Sequence, residues 1–187
     1  MRIVAGRFKG TAIAAPKTDK TRPTSDRLRE TIFNILAHGL GVELEGARIL
    51  DLFAGSGALG FEAVSRGARH ATFIEETTAA RGVIRQNLET LGLNGACKIF
   101  RRDATRLGSA GTIEPFDILF ADPPYGKGLG EQALASALAG GWLKETAVCV
   151  LEERAGAAIE LPQGFRELDR RSAGDSQVLF CERVSSG

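Results

Sequence analysis

Cysteine and histidine are scarce in this chain of 187 residues, which holds three of the first and two of the second. Cys97, Cys149 and Cys181 are widely spaced, odd in number and set in apolar strand-like runs. With no C-x-x-C pair, they support neither a disulfide framework nor a zinc site. His38 and His70 lie far apart and lack metal-ligand spacing, so no metal is expected. Long apolar runs are missing too. Nothing approaches the roughly 20 residues of a membrane span, and the apolar run near Met1 is too short for a signal peptide. These absences point to the reducing cytoplasm and away from a membrane. There is no internal repeat and no low-complexity segment.

Net charge is also small, +1 at neutral pH, but it is unevenly spread. Residues 1–38 carry eight basic side chains against three acidic ones, and the rest of the chain carries sixteen against twenty. A basic end on a mildly acidic body suggests an anionic partner bound at one edge. A solvated basic tail is the plain alternative. The length favours one domain, or one domain with a small extension, and it suffices for a real core.

What the chain does have is a strand, a glycine turn and a helix in close succession, from Arg48 to Gly60. Ile49, Leu50, Leu52 and Phe53 form a short apolar run typical of a strand buried on both faces. The run ends at Ala54-Gly55-Ser56-Gly57, and helix-compatible sequence follows from Ala58 to about Arg66. Such a unit makes a ligand crevice at the carboxyl end of a parallel sheet. Gly55, Gly57 and Gly60 fit the dinucleotide fingerprint, with Glu75 about twenty residues further on. Asp51 argues against a dinucleotide, because its carboxylate beside the turn would repel a pyrophosphate. It suits a ligand with a positive end, such as the ammonium and sulfonium of S-adenosyl-L-methionine (AdoMet), whose ribose hydroxyls would then take Glu75. Alternatively, Asp51 only caps the helix.

In chain order, Arg2–Arg7 and Thr11–Ala15 read as two short strands around a turn at Phe8-Lys9-Gly10. Residues 17–23 read as a loop, and Thr24, Ser25 or Asp26 caps a helix reaching about His38, with Arg27 and Arg29 off its apolar face and therefore expected to stay available. Strands follow at His70–Glu75, Cys97–Phe100, Phe116–Ala121 and Thr146–Leu151, with helices at Thr77–Leu91 and Glu131–Ala139 between them. Phe165–Arg171 and Gln177–Arg183 form a closing hairpin. The expectation is an α/β fold: a Rossmann-like, doubly wound, mostly parallel seven-stranded sheet with a C-terminal antiparallel hairpin and a small N-terminal β-hairpin and helix extension. The extension is residues 1–38 and the main unit residues 39–187.

Asp122-Pro123-Pro124-Tyr125 follows the fourth strand and should share the carboxyl edge with Gly55. Adjacent prolines fix two φ angles and remove two N–H donors, and they push Asp122 toward extended backbone. The loop is therefore stiff and rich in acceptors, a match for the two N–H donors of a nucleobase amine. Acceptors on both hydrogens would expose the nitrogen lone pair and stabilise the charge that grows there on methylation. Tyr125, the chain's single tyrosine, would stack on the base. No histidine base is required. A proline-rich turn capped by Asp122 is the structural alternative.

Taken together, D-L-F-A-G-S-G-A-L-G, F-I-E and D-P-P-Y resemble the class I AdoMet-dependent amino-methyltransferases. The run T-R-P-T-S-D-R-L-R-E-T-I-F-N-I-L narrows the resemblance to the RsmD family of 16S rRNA guanine-N2 methyltransferases, over nearly the whole chain. The resemblance implies that Asp51, Gly55 and Gly57 hold the methionine part of AdoMet, with Phe53 and Ala54 also in the cofactor site. It further implies that Glu75 holds the ribose, that Asp103 lies near the adenine amine, and that Thr24 lies near the methionyl carboxylate. Asp122, Pro123, Pro124 and Tyr125 would receive the guanine. The final turn, R-S-A-G-D-S, departs from the family, which often has an aromatic before Gly-Asp. The implied partner is 16S rRNA or the assembling small ribosomal subunit, gripped through phosphates by Arg7, Lys9, Arg22 and Arg27 of a monomer. A DNA adenine-N6 methyltransferase, a catalytically silent RNA-binding subunit and a release-factor glutamine methyltransferase are the rivals. The short chain, the intact tetrapeptide and its leading Asp count against them in turn.

Overall fold

The computed structural model describes residues 1–17 and 25–185. Strands β1 (Arg48–Leu52), β2 (His70–Ile74), β3 (Cys97–Phe100), β4 (Phe116–Ala121), β5 (Leu143–Arg154), β6 (Phe165–Ala173) and β7 (Ser176–Arg183) form one sheet. Its order is β3-β2-β1-β4-β5-β7-β6. The first five strands run parallel, and β7 and β6 join antiparallel at one edge. Helices α1 (Asp26–Asn34), α2 (Ala58–Ser65), α3 (Thr78–Leu91) and α4 (Leu129–Ala139) connect and cover the strands. The α/β sheet with its closing hairpin is thus the one read from the sequence.

All five residues of β1 are buried. Leu50 and Leu52 pack with Ala133, Leu134 and Ala137 of α4, and Ile49 packs into a second cluster with Phe61 of α2 and Ile84 and Leu88 of α3. Side chains alternate across a strand, so Asp51 shares the Ile49 face, against α2. Fully burying one such Leu or Ile contributes about 1.5–3 kcal/mol, which makes this double-sided packing the main support of the central strand. From β1 the chain steps outward through β2 and β3, then returns to place β4 on the other side of β1. A crevice is expected outside the carboxyl ends of the two strands at such a reversal.

Two local expectations need correction. The N-terminal hairpin is not a regular strand pair: Arg2 and Ala12 form a single antiparallel bridge. Ile3, Gly10 and Ile13 N–H still bond across the hairpin, but four donors of its first arm and turn go to α2 instead. Val4 N–H and Ala5 N–H donate to the two carboxylate oxygens of Glu62, Arg7 N–H to Ser65 O, and Phe8 N–H to Ser65 Oγ. Gly6 has φ +81°, and a Cβ there would sit 1.9 Å from Ser65 O, so the close approach demands glycine. The second correction is Arg29, expected to be available. It is fully buried, donating from Nη2 to Arg2 O at 2.7 Å and to Asp26 Oδ1 at 2.5 Å, with Nε 3.8 Å from Glu62 Oε1. Ile32, Phe33 and Leu36 join the sheet's own core cluster together with Ile3 and Ile13. Arg29 therefore ties Arg2 and α1 to Glu62 of α2 instead of facing solvent.

Candidate active site

Leu52 of β1 and Ala121 of β4 are register neighbours. The turn that follows one strand and the loop that follows the other therefore leave the sheet side by side. A cavity of about 480 Å³ opens between them. Asp51, Phe53, Ala54 and Gly55 line it from the first turn, Glu75 from the end of β2, and Asp122, Pro123, Pro124 and Tyr125 from the loop after β4.

The first turn is tightly built. Phe53 has φ 53°, the one positive value at a non-glycine among the described residues. This backbone region is costly for a bulky side chain and tends to mark functional turns. Ala54 N–H donates to Ile74 O at 3.1 Å, and Gly55 N–H to Glu75 Oε2 at 3.0 Å. Gly60 N–H, in the first turn of α2, donates to Asp51 Oδ2 at 3.0 Å. A Cβ on Gly60 would lie 2.5 Å from the Phe73 ring, so glycine allows α2 to come close enough for that bond. Asp51 thus caps the helix and also lines the cavity.

Burial holds the Asp51 carboxyl well above the usual carboxylate range, against the pull of the Gly60 N–H and with added repulsion from Glu75. Two acidic groups facing one space, one of them disfavoured as an anion, form an environment that a bound cation would relieve. AdoMet, with its ammonium and sulfonium, fits that donor set. Glu75 is held from both ends: its Oε1 accepts from Thr77 N–H at 3.3 Å, and its carbonyl accepts from Arg81 Nη1 at 3.2 Å.

The loop after β4 is anchored from the far side. Tyr125 O–H donates to Glu152 Oε1 at 2.9 Å and lies 2.7 Å from Ser176 Oγ. Gly126 N–H donates to Glu153 Oε1 at 3.0 Å. Burial pushes the Tyr125 phenol up, and the nearby Glu152 adds to the effect, so the ring stays neutral. Its hydroxyl is tied to the sheet while the residue still lines the cavity.

Other expected residues lie elsewhere. Gly57 is outside the lining. Its φ is +81°, its N–H donates to Ala54 O at 2.8 Å, and a Cβ would meet the Phe61 ring at 2.7 Å. It shapes the turn from behind. Asp103 is also outside the lining: its Oδ1 accepts from Thr105 N–H at 2.9 Å and from Thr105 Oγ1 at 2.7 Å, bonds that lower its pKa. Its neighbours Arg102 and Ala104 are the ones that reach the cavity. Arg7, Lys9 and Arg27 are exposed, with the Arg7 guanidinium 4.6 Å from the Phe8 ring centroid. Thr24 and Arg22 lie outside the described residues.

Sequence reasoning missed Ala15 and Pro16, which form part of the cavity wall, and Asn87, which holds their segment. It also missed the anchoring role of Glu152, Glu153 and Ser176. The two adjacent acids closing an apolar strand were the available signal for Glu152 and Glu153; Asn87 offered only a polar residue on the apolar face of a helix.

The sequence profile of the family described as Conserved hypothetical protein 95 matches residues 1–182. Ribosomal RNA small subunit methyltransferase D of Escherichia coli K12 is 40% identical over 188 residues, covering 100% of this chain and 92% of the relative. The protein of the same name from Haemophilus influenzae is 32% identical over 176 residues, covering 93% of this chain and 89% of that one. The solved structure of Escherichia coli yhhF, described as a candidate methyltransferase, superposes with a TM-score of 0.82 at 34% identity, covering 98% of each chain. Identity at this level along the full length, on the same sheet, places the chain in a family: it belongs to that of ribosomal RNA small subunit methyltransferase D, RsmD.

Proposed function

We propose that this protein transfers a methyl group from AdoMet to the exocyclic N2 amine of a guanine in 16S rRNA. The observation that carries the proposal is the cavity in which Asp51, Gly55 and Glu75 face the Asp122–Tyr125 loop. Family membership supports the same reading, since relatives along the full length are named ribosomal RNA small subunit methyltransferases.

Asp51 and Glu75 would hold the charged and ribose parts of AdoMet, with Phe53, Ala54 and Gly55 fixing the turn around them. When bound, AdoMet would supply an electrophilic methyl group, its sulfonium leaving as the neutral thioether of S-adenosylhomocysteine. Asp122 accepts one hydrogen of the guanine amine, and the backbone carbonyls of the loop serve the other. Drawing both hydrogens out of the ring plane localises the nitrogen lone pair. The Asp122 carboxylate then stabilises the positive charge that grows on nitrogen, the kind of electrostatic help that works best in a partly dry site. The surplus proton leaves from an ammonium that is already acidic. Tyr125, held by Glu152 and Ser176, would present its ring to the base, which must leave its stack to enter.

Residues 1–38 form the RNA-facing extension in this proposal, with Arg7, Lys9 and Arg27 exposed and Arg22 assigned by sequence alone. Residues 39–187 form the transferase unit. The protein acts as a cytoplasmic monomer. The test is incubation with labelled AdoMet and, in parallel, naked 16S rRNA, small-subunit particles, duplex DNA and a release factor. Label should enter rRNA or the particle. Incorporation only into DNA or protein would refute the substrate assignment.

A further inference from the structure

Asn87 sits on the buried face of α3, between Ile84 and Leu91, and is 1% exposed. An apolar residue would pack there without a desolvation cost, and asparagine is a poor helix-interior residue. Its amide, however, is used on three sides. Oδ1 accepts from Ala14 N–H at 2.7 Å, and Nδ2 donates to Ala14 O at 2.9 Å and to Ser56 O at 3.0 Å. The first two bonds grip one residue of the N-terminal segment by both backbone groups, as a strand neighbour would. The third holds the turn between Gly55 and Gly57. Ala15 and Pro16, just after Ala14, line the cavity, and so do Gly55 and Ser56. One buried side chain thus ties together two walls of the cavity that are far apart in sequence.

We infer that Asn87 is a positioning residue that couples the N-terminal segment to the cofactor turn. A ligand touching both walls favours the arrangement in which Asn87 holds both. Loss of the brace weakens the ligand, and the ligand tightens the brace, by the reciprocity of linked equilibria. The inference rests on the cavity being the AdoMet site. It separates from the basic turn at Arg7 and Lys9, which makes no bond to Asn87. Its consequence is that residues 14–16 and the cofactor turn respond to each other through one side chain.

The probe is S-adenosylhomocysteine, which lacks the transferable methyl group. In the wild-type protein, saturating probe should slow hydrogen exchange of the Ala14 amide by about ten-fold or more, since the bond to Asn87 must break for exchange. The Gly46 amide, bonded to Gly67 O away from the cavity, should not change. In Asn87→Ala, probe affinity by calorimetry should fall about ten-fold or more, the scale of buried groups left unpaired, and the Ala14 response should vanish. Asn87→Asp keeps an acceptor for Ala14 N–H but turns an oxygen toward two carbonyls, and it should bind as weakly as the alanine variant. Unchanged Ala14 exchange in the wild type on probe binding would overturn the coupling even if a variant failed to fold. Equal probe affinity in a folded Asn87→Ala would overturn it as well. If the probe does not bind the wild type at all, calorimetry alone shows it, and the cofactor assignment falls with the inference.

Discussion

The hydroxyl of Tyr125 donates to Glu152 Oε1 at 2.9 Å across a separation of 27 residues. The tetrapeptide after β4 is therefore fixed by the end of β5, as well as by its own two prolines. Tyr125→Phe keeps the ring and removes the donor. It should destabilise the fold by about 1–3 kcal/mol, the cost of leaving a buried carboxylate short of a partner. Cofactor affinity should stay unchanged, because Asp51 and Glu75 are untouched, while methyl transfer slows. Denaturant unfolding, calorimetry and a turnover assay separate the three effects.

Asp51 should make cofactor binding pH-dependent. Its carboxyl is raised by burial and by Glu75, whereas a cation beside it favours the charged form. Affinity for AdoMet should therefore rise with pH through the raised Asp51 pKa and level off above it. Asp51→Asn should lose about ten- to hundred-fold in affinity, the worth of a charge-assisted bond, and should flatten the profile. Calorimetric titration at a series of pH values reads both effects. Tighter binding at low pH would contradict the placement of the cation at Asp51.

His70 gives a stability prediction with the opposite origin. Burial, followed by repulsion from Arg48, lowers its pKa from 6.5 to about 4. The unfolded chain takes up this proton below about pH 6.5 while the folded protein does not. Stability should thus fall as pH drops from 6.5 toward 4, and the His70 contribution should be flat above that window. His70→Gln should remove this part of the slope in urea unfolding curves. His70 lies at the start of β2, away from the cavity, so methyl transfer at neutral pH should not change.

The main strands and helices were legible in the sequence because buried parallel strands read as apolar runs and helices as a 3.6-residue period. Cys97–Phe100 and Phe116–Ala121 match the expected bounds. The turn after β1 and the loop after β4 were legible because glycine and proline mark the backbone directly. Pairings between distant side chains and backbone were hidden. Val4 and Ala5 are satisfied by Glu62, and Ala14 by Asn87 at a separation of 73 residues. No local period encodes such pairings. The burial of Arg29 was hidden for the same reason: a charged residue off the apolar face is expected in solvent, but here the N-terminal hairpin folds over it and accepts its hydrogen bond at Arg2 O.

Charge reversal at the N-terminal turn should separate RNA binding from cofactor binding. Arg7 and Lys9 are exposed, and the bonds that dock their segment come from backbone groups. The double change Arg7→Glu and Lys9→Glu should leave the fold and AdoMet affinity intact. RNA binding should weaken, and the slope of log K against log salt should shrink by about 0.7–0.9 for each phosphate that is no longer neutralised. An unchanged slope in the folded variant would remove this turn from the RNA surface.

Asp122 bears most directly on the chemistry. Asp122→Ala should keep cofactor affinity within a few-fold and slow methyl transfer by roughly 10²–10³, the scale for removing one hydrogen-bonding group from the transition state. Asp122→Asn retains a carbonyl acceptor and should keep more activity than the alanine variant. Equal rates for the two would assign the effect to charge instead of hydrogen-bond acceptance.

The most direct test of the central claim is nucleoside mass spectrometry of 16S rRNA after reaction with labelled AdoMet, run as naked rRNA and as small-subunit particles. The account predicts labelled N2-methylguanosine from the wild-type protein, strongly reduced with Asp122→Ala. Label on adenine N6, or on a guanine atom other than N2, would contradict it.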